Sequence, residues 1–571
     1  MALDKAQVDY SVYLVTGREL LPAGVDYYKS LERCLRDGHV TVVQIREKDA
    51  ETSEFLAIAT KSLEICDRYG VPMLINDNLS VCLALPERVG LHIGQEDIPI
   101  EEARRILGPN RLLGISIKSV EQARRAMASE CADYAGVGPC YGTLSKAGIT
   151  EDKVIGNAGA QEIVAALSQP SKRMPCVLIG GLNQNTAART LFGATGPTNA
   201  PDGIAVISAI VGRTDADVAA KELGDIVFRF KQGLAASHGI NCGVLSSFAL
   251  PSGASSASGS ANRDAEWYKS AAASLLDEHR KGQQGPPLMQ TITSHVSSTM
   301  SANLALAFSA SPIMSHEAEE AADLSLAIGG LVLNIGTISE ASRQGMRVAG
   351  TSANRNRKPV VLDPVGGGAT SFRKRVVRDI LNHTQVTLLK GNAAELASIA
   401  GNTEVQSRGV DSGAGSLKDP VTLVKTLAQR ERCLVLLSGK TDYLTDGQTV
   451  ITSTNGHPLL GAITGSGCAL GVTVGTGLAA ACNLAKSNGD KDSISSLGNT
   501  LVAHGSVDLL IGALVGLLAM TIASEKAAAR TDVRGPGTFI PALQDELAAV
   551  SGQDLIHHAK IQIVSSSSSP A

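Results

Sequence analysis

Short apolar runs alternate with amphipathic stretches from Tyr10 to about Phe230. The run Val40–Ile45 is mostly β-branched, which is typical of a strand buried on both faces. We predict eight strands, at Ser11–Thr16, Val40–Ile45, Pro72–Ile75, Gly90–Ile93, Leu112–Ile117, Tyr134–Val137, Cys176–Ile179 and Ile204–Ile207. Helical patterns lie between them, as at Thr52–Tyr69, Glu101–Leu107, Val120–Ser129 and Asp215–Phe230. This rhythm predicts a (β/α)8 barrel. A doubly wound sheet is the alternative, because strand counting does not prove closure.

The second half of the chain shows the same alternation. Strands are predicted at Leu331–Ile335, Pro359–Leu362, Val386–Leu389, Cys433–Leu437 and Val450–Ser453, in a parallel sheet covered by helices on both faces. The Ser/Gly/Ala-rich stretch Pro251–Asn262 has a linker composition, and Asp264–Arg280 is a possible helix. We therefore expect a barrel over residues 1–236, a linker with one possible helix over 237–286, an α/β domain over 287–564 and a disordered tail over 565–571.

Composition narrows the class of protein. The 571 residues are 44% hydrophobic and 3% aromatic with 58 glycines, which suits α/β folds with many tight turns. A net charge of −4 without a basic tract argues against nucleic-acid binding. The ten cysteines form no C-x-x-C pair, and no signal-peptide pattern opens the chain. The apolar run Leu509–Ile522 is shorter than the roughly 20 residues that a membrane span needs. We expect a cytoplasmic protein that binds no membrane.

Polar residues gather where the predicted barrel strands end, and in a barrel these ends meet on one face. Arg46, Lys48 and Lys146 are cations suited to phosphate oxygens, and Asp77 and Asp97 are oxygen donors suited to Mg²⁺. The remaining polar or turn residues at these ends are Gln44, Asn76, His92, Gln95, Ser116, Gly180-Gly181 and Ser208. Taken singly, Asp77 fits a turn residue, Asp97 a helix cap and the glycine pair a tight turn equally well. Their shared position favours a site for a diphosphate and a separate monophosphate.

Several motifs of this half resemble thiamine phosphate synthase, and they occur in the same order. They are Gln44-Ile-Arg-Glu-Lys48, Ile75-Asn-Asp77, Leu91-His-Ile-Gly-Gln-Glu-Asp97, Gly136-Val-Gly-Pro139, Thr143-Leu-Ser-Lys146, Ile179-Gly-Gly181 and Ala205-Val-Ile-Ser-Ala-Ile210. The resemblance implies that an aminopyrimidine methyl diphosphate is joined to a thiazole phosphate. It implies diphosphate binding by Arg46, Lys48 and Lys146, Mg²⁺ binding by Asp77 and Asp97, and pyrimidine contacts from Gln44 and Asn76. The thiazole phosphate would contact Thr143, Ser145, Gly181, Ile207 and Ser208, and Ser116 would complete the substrate site.

A glycine-rich stretch in the second half, Gly461–Leu470, runs straight into a predicted helix at Cys468–Ala481. Such a helix start exposes backbone N–H groups and is a ready anion site. Close helix–helix packing is an equally good explanation of the glycines. Asn392 and Glu395 are three residues apart, which fits a capping box at least as well as a metal site.

This half resembles hydroxyethylthiazole kinase, a member of the ribokinase-like superfamily. The motifs are Pro287-Leu-Met-Gln-Thr-Ile-Thr293, Ala302-Asn303, Ala310-Ser-Pro-Ile-Met314, Val361-Leu-Asp-Pro-Val-Gly-Gly-Gly-Ala369, Lys390-Gly-Asn-Ala-Ala-Glu395 and Thr464-Gly-Ser-Gly-Cys468. The resemblance implies phosphorylation of a thiazole alcohol with ATP and Mg²⁺ by a trimeric or hexameric enzyme. It implies thiazole contacts from Met314 and Gly465, ATP contacts from Lys390 and Ser438, and metal–phosphate support from Asp363 and Glu395. Cys468 would be the general base, because a helix N-terminus lowers a thiol pKa.

Two positions depart from the kinase pattern. Ser294-His295 replaces an asparagine–aromatic pair, and many members carry arginine at the position of Lys390. The two resemblances together predict one bifunctional enzyme of the fungal type, because the kinase product is the synthase substrate. The alternatives are a synthase with a degenerate kinase scaffold, a non-catalytic thiamine or thiazole sensor, and a phosphate-sugar isomerase fused to a sugar kinase.

Overall fold

The protein was studied as a computed structural model, which describes residues 3–143, 153–196, 199–236, 263–282, 285–401, 407–408, 411–412, 417–487 and 509–564. The chain divides into two compact units, Met1–Cys242 and Gly243–Ala571. Each unit contains its own sheet.

The first unit is a closed barrel of eight parallel strands, which confirms the (β/α)8 prediction. The strands pair in the order β1-β8-β7-β6-β5-β4-β3-β2 and then back to β1. They are β1 (Val12–Val15), β2 (Val42–Ile45), β3 (Met73–Asn76), β4 (Gly90–Ile93), β5 (Leu113–Ile117), β6 (Tyr134–Val137), β7 (Cys176–Ile179) and β8 (Gly203–Val206). The helices are α1 (Tyr27–Arg36), α2 (Thr52–Tyr69), α3 (Leu79–Ala84), α4 (Ile100–Leu107), α5 (Val120–Ser129), α6 (Gly156–Ala166), α7 (Ala187–Gly193), α8 (Ser208–Val211) and α9 (Ala216–Ala236). Apolar strand residues bury against these helices and, on the other face, inside the barrel.

Strand β2 begins at Val42, two residues later than predicted, and ends at Ile45 as predicted. Beyond this end, the backbone N–H of Arg46 donates to Thr16 Oγ1 at 2.9 Å. The two-residue alternation therefore stops before Arg46 and Lys48. A longer strand would put Gln44, Arg46 and Lys48 on one face, but Gln44 and Arg46 are buried and Lys48 is exposed.

The second unit contains a nine-stranded sheet in the order β10-β9-β11-β12-β13-β14-β15-β16-β17. The strands are β9 (Leu288–Ile292), β10 (Ser311–Ile313), β11 (Gly330–Asn334), β12 (Val360–Asp363), β13 (Leu388–Gly391), β14 (Leu434–Leu437), β15 (Asp442–Thr445), β16 (Val450–Ser453) and β17 (Ile561–Val564). Strands β9 to β14 pair in parallel, whereas β15, β16 and β17 add an antiparallel edge. The expected parallel sheet is thus confirmed for its central part.

Helices pack on both faces of this sheet. They are α10 (Ala265–Lys281), α11 (Ser298–Ala307), α12 (Ala321–Ala327), α13 (Glu340–Arg355), α14 (Ser371–His383), α15 (Ala393–Ala400), α16 (Pro420–Glu431), α17 (Ser466–Ser487), α18 (Leu509–Ala529), α19 (Pro536–Ala549) and α20 (Gly552–His558). Helix α10 is the one placed in the predicted linker. Its Asp264 cap accepts from Trp267 N at 2.9 Å, and Tyr268 and Leu276 are buried in the core of the second unit. The helix is therefore part of that unit.

Helices α17 and α18 form the apolar centre of the second unit. At 21 residues, α18 is long enough to cross a bilayer, which the shorter predicted run is not. Both helices pass a length-and-hydropathy test for membrane spans, yet 78% and 89% of the tested segments are buried inside the unit. Their close approach depends on glycines: a Cβ at Gly477 would lie 2.1 Å from Gly512 O, and one at Gly516 would lie 2.3 Å from Thr473 O.

We expect the substitution Gly516→Ala to destabilise the second unit by about 1–3 kcal/mol, because the added methyl group forces the two helices apart. Gly537→Ala is the matched control. A Cβ at Gly537 meets no atom within 4 Å, so alanine there should leave stability unchanged or raise it slightly. Urea unfolding of the full chain measures both. Equal midpoints for the two variants would contradict the role given to Gly516.

Candidate active sites

Polar side chains lie at the carboxyl ends of the barrel strands β2 and β3. Gln44 is buried, and its Nε2 donates to the Tyr13 hydroxyl at 2.7 Å. The Arg46 guanidinium is also buried and pairs with Glu19 at 3.1 Å. Asn76 closes β3 opposite His92 of β4. An oriented amide and a paired cation therefore lie at the end of β2, and a second amide closes the neighbouring β3.

Asp77 and Asp97 follow the adjacent strands β3 and β4, and both are exposed. Asp77 has a positive φ of 59°, and its N–H donates to His92 O at 2.9 Å. A non-glycine residue in this conformation is uncommon, and such strain concentrates at functional sites. Asp97 does not cap α4, whose N-cap is Pro99; its Oδ2 accepts from Gly94 N at 2.6 Å within the loop. The helix-cap explanation of Asp97 is wrong.

Gly180 and Gly181 form a turn that packs closely against the loop after β6. Their φ angles are 86° and 68°, and a Cβ on Gly181 would lie 2.6 Å from Gly142 O. Tyr141 N donates to Gly180 O at 3.1 Å. This contact brings Gly181 next to the segment that leads to Thr143. Ile207 and Ser208 lie at the start of α8, while Ser145 and Lys146 lie outside the described residues.

Two tyrosines absent from the predicted set, Tyr13 and Tyr134, connect members of it together with His92. Tyr13, Tyr134 and His92 join Gln44 to Ser116 through side-chain hydrogen bonds inside the barrel. The tyrosines resemble ordinary core aromatics in the sequence. His92 is the member that the sequence indicates, because a histidine inside an otherwise apolar strand is unusual.

A buried ion pair lies at the carboxyl ends of β12 and β13 in the second unit. Lys390 Nζ is 3.2 Å from both carboxylate oxygens of Asp363, and Asn334 Nδ2 donates to Asp363 Oδ2 at 2.9 Å. Asp363 is 0% exposed and Lys390 is 4% exposed. Burial alone would lower the pKa of Lys390, but the carboxylates of Asp363 and Glu395 outweigh burial and raise it. The ammonium therefore stays charged.

Glu395 makes the predicted capping box with Asn392. Its Oε2 accepts from Asn392 N at 2.8 Å, and its Oε1 accepts from Gly366 N at 2.9 Å in the glycine-rich loop after β12. Burial and the neighbouring Asp363 raise the pKa of Glu395 to about 6. The capping explanation is confirmed, and the same carboxylate also positions the glycine-rich loop.

Helix α17 begins at Ser466, two residues before the predicted start. Gly465 has a φ of 87°, and its carbonyl accepts the hydrogen bond of Ala469 N at 2.9 Å. The N–H groups before Ala469 lie at the open end of the helix. A Cβ at Gly467 would lie 3.4 Å from Lys390 Nζ, so a buried ammonium faces this end.

The Cys468 thiol interacts with Ser297 and Asn334. Burial and the charge of Asp363 raise its pKa. The expected lowering of this pKa by the helix N-terminus is therefore wrong, because desolvation and a nearby carboxylate both disfavour the thiolate.

Ser438 follows β14, and its N–H donates to Gly391 O at 2.9 Å, which fixes it beside the end of β13. Gly439 N then donates to the buried Asp442 at 3.0 Å. Met314 is half-buried just after the edge strand β10. Asn334, Ser297 and Asp442 are site neighbours that the sequence motifs missed; Asn334 and Ser297 contact residues far away along the chain, whereas Asp442 binds Gly439, three residues away.

A closed barrel with charged strand ends, followed by an α/β domain with a buried cation at a helix start, defines a two-domain enzyme that handles phosphorylated substrates. The pattern of the family Thiamine monophosphate synthase matches residues 12–210, and that of the Hydroxyethylthiazole kinase family matches residues 280–496.

Three curated relatives agree with this division. A probable thiamine biosynthetic bifunctional enzyme of Schizosaccharomyces pombe is 34% identical over 98% of this chain and 99% of its own length. A thiamine biosynthetic bifunctional enzyme of Saccharomyces cerevisiae is 31% identical over 83% of this chain and 87% of its own. A hydroxyethylthiazole kinase of Methanosphaerula palustris is 38% identical over 49% of this chain and 96% of its own. The chain belongs to the bifunctional thiamine biosynthetic enzymes, and it combines thiamine phosphate synthase and hydroxyethylthiazole kinase activities.

Asp442 gives the second unit a pH-dependent stability. Burial raises the pKa of Asp442 to about 7, above its ordinary value of 3.8. Between these values the folded state binds more protons than the unfolded state, so stability falls as pH rises from about 4 to 7. Asp442→Asn keeps the acceptor for Gly439 but removes the charge. We expect the variant to gain stability over the wild type on going from about pH 5 to pH 8, by on the order of 1–3 kcal/mol.

Urea unfolding at both pH values measures the effect, with the exposed Glu319→Gln as control. A wild-type pH dependence that survives Asp442→Asn unchanged would exclude Asp442 as its source.

Proposed function

We propose that the first unit joins 4-amino-2-methyl-5-pyrimidinylmethyl diphosphate to 4-methyl-5-(2-phosphoethyl)thiazole at the carboxyl ends of its strands. The observation that supports this assignment is that buried Gln44 and Arg46 and the exposed carboxylates of Asp77 and Asp97 all lie at or after the ends of the adjacent strands β2, β3 and β4. Arg46, Lys48 and Lys146 bind the leaving diphosphate. Gln44, Asn76 and Ser116 orient the pyrimidine, and Thr143, Ser145, Gly181, Ile207 and Ser208 hold the thiazole phosphate.

A magnesium ion fits the acidic pair of this site. Among the described residues no group of three or more histidine, cysteine or acidic side chains surrounds a common point. Magnesium is usually held by one or two carboxylates together with water and substrate phosphates, and Asp77 and Asp97 supply that number. When bound, the ion neutralises charge on the diphosphate. The protein groups orient the two substrates so that the thiazole nitrogen captures the pyrimidine methylene carbon as diphosphate departs.

Asp77→Asn tests the metal role with little change in backbone preference, because asparagine also tolerates a positive φ. We expect thiamine phosphate formation to fall about 10²- to 10³-fold, as charge stabilisation of the leaving group is lost. Glu130→Gln removes a carboxylate from another residue with positive φ, 54°, at the end of α5, and should leave the rate unchanged. Chromatography after supplying both phosphorylated substrates gives the rates. Full activity of Asp77→Asn would rule out the proposed acidic pair.

We infer that the second unit phosphorylates 4-methyl-5-(2-hydroxyethyl)thiazole with ATP at the start of α17. The carrying observation is the Lys390 ammonium facing this helix end, because free N–H groups and a fixed cation together favour a phosphate. Lys390 and Ser438 bind ATP, while Asp363 and Glu395 support the magnesium–phosphate region. Met314 and Gly465 contact the thiazole, and Cys468 accepts the proton of the attacking hydroxyl.

Cys468→Ala should lower kcat for thiazole phosphorylation by about 10²- to 10⁴-fold if the thiol is the general base. Asp363→Asn should do the same, because it also leaves Lys390 without its buried partner. Both variants should still make thiamine phosphate when thiazole phosphate is supplied, which provides a control within the same chain. Wild-type protein that consumes no ATP in the presence of the thiazole alcohol would favour the degenerate-kinase alternative.

We also propose that the protein is a cytoplasmic homo-oligomer, a trimer or hexamer assembled through the second unit. Val296, Leu306 and Leu326 of this unit are 65%, 60% and 67% exposed and are the apolar side chains that we assign to the subunit interface. Val296 lies beside the site residue Ser297. Nine cysteines of the described residues are thiols, as expected in a reducing compartment. Sedimentation of the full chain measures the number of subunits.

A further inference from the structure

Four side-chain hydrogen bonds cross the barrel interior and join Gln44, Tyr13, Tyr134, His92 and Ser116; these five residues are named the barrel chain. Gln44 Nε2 donates to Tyr13 Oη at 2.7 Å, and the two tyrosine hydroxyls are 2.7 Å apart. The Tyr134 hydroxyl is 2.8 Å from His92 Nδ1, and His92 Nε2 is 3.0 Å from Ser116 Oγ. The two ends of the barrel chain, Gln44 and Ser116, are proposed substrate contacts, whereas its three middle members have no role in the proposed function.

A glycine in β5, Gly114, leaves the space that the Tyr134 ring needs in order to reach His92. Gly114 of β5 pairs with His92 on one side and with Tyr134 on the other. A Cβ on Gly114 would lie 2.2 Å from the Tyr134 ring, so only glycine lets the ring cross β5 to reach His92. Tyr13 and Tyr134 are 1% and 0% exposed, and water therefore does not compete for their hydroxyls.

The orientation of the Gln44 amide, with its nitrogen towards Tyr13, sets the direction of the hydrogen bonds. The Gln44 amide nitrogen can only donate, so the Tyr13 oxygen accepts from it and the Tyr13 hydrogen is directed to Tyr134. The Tyr134 hydrogen is then directed to His92 Nδ1. In the opposite direction Tyr13 would accept two hydrogen bonds while its own hydrogen stayed buried without an acceptor, which is costly. Burial raises the pKa of both tyrosines, so both remain protonated donors.

We propose that the barrel chain is a positioning device with a single direction, set by Gln44 and passed through Tyr13, Tyr134 and His92 to Ser116. In this state His92 carries its hydrogen on Nε2 and donates to Ser116, whose own hydrogen is left to donate outward. At the other end, Gln44 keeps its Oε1 as an acceptor. The device therefore presents an acceptor at Gln44 and a donor at Ser116. An aminopyrimidine, which offers an amino donor and ring-nitrogen acceptors, matches this polarity. The inference rests on the proposed binding of the pyrimidine diphosphate by Gln44.

The tautomer of His92 tests the direction without any activity measurement. The full chain is labelled with ¹⁵N-histidine, and the His92 signals are assigned among the 11 histidines by comparison with His92→Asn. We expect nitrogen shifts of a neutral ring protonated on Nε2 in the wild type, and a mixture of tautomers in Tyr134→Phe. A wild-type ring protonated on Nδ1 would overturn the proposal, because the direction would then be reversed.

Kinetics test the positioning role. Tyr134→Phe keeps the ring but breaks the barrel chain, and we expect its KM for the pyrimidine diphosphate to rise about tenfold, the effect of one buried hydrogen bond, with kcat changed less than about twofold. Tyr10→Phe is the matched control, because the Tyr10 ring packs on Tyr134 with centroids 4.9 Å apart while its hydroxyl lies outside the barrel chain. Equal KM values for the two variants would overturn the positioning role.

Gln44→Ala separates this inference from the proposed function. Unchanged binding of the pyrimidine diphosphate by Gln44→Ala would refute the Gln44 contact on which the proposed function depends, whatever the His92 tautomer is. A raised KM in Gln44→Ala together with an unchanged KM in Tyr134→Phe would keep the contact and refute only the positioning role.

Discussion

Parallel strand pairing is the constraint on which both candidate sites depend. In the first unit the pairing of β1 with β8 closes the sheet, so every strand ends on the same rim. In the second unit the parallel pairing of β12 with β13 and of β13 with β14 places the residues after those strands along one edge. Residues separated by dozens of positions in the sequence thereby become neighbours. Neither set of charges would form a site if the register of one strand slipped, because each side chain would then face the other way.

The two sites handle charge in opposite ways. In the barrel the acids Asp77 and Asp97 are exposed, so water solvates their charges and they cost the folded state little free energy. In the second unit Asp363 and Lys390 are nearly inaccessible, and each would be unstable as an isolated charge. Their mutual pairing, together with the amide of Asn334, offsets the loss of water. Burial of the thiol and, next, the charge of Asp363 raise the pKa of Cys468, although the thiol lies at a helix start.

Much of the fold was predictable because local signals agreed with the tertiary structure. Strands β4, β6 and β7 begin and end as predicted, since turn or polar residues flank each apolar run. The prediction failed where an interaction between distant residues decided the outcome. Helix α10 joins the second unit through buried contacts that its linker-like surroundings do not indicate. Strand β17 was missed because it pairs with β16 only after more than 100 intervening residues.

The same distinction between local and distant interactions separates the site residues that the sequence predicts from those that it does not. Charged and glycine residues that follow strands can be recognised in the sequence, because each directly follows an apolar run that predicts a strand. The barrel chain was not visible, since its tyrosines look like core residues and their hydroxyls meet across 121 positions of sequence. A hydrogen bond of this kind has no local pattern. It exists because Gly114 leaves room for one ring and because the dry barrel interior requires every buried hydroxyl to find a partner. The sequence motifs therefore reveal the charged residues of the site, whereas the buried side chains of the barrel interior decide which of its groups donate and which accept hydrogen bonds.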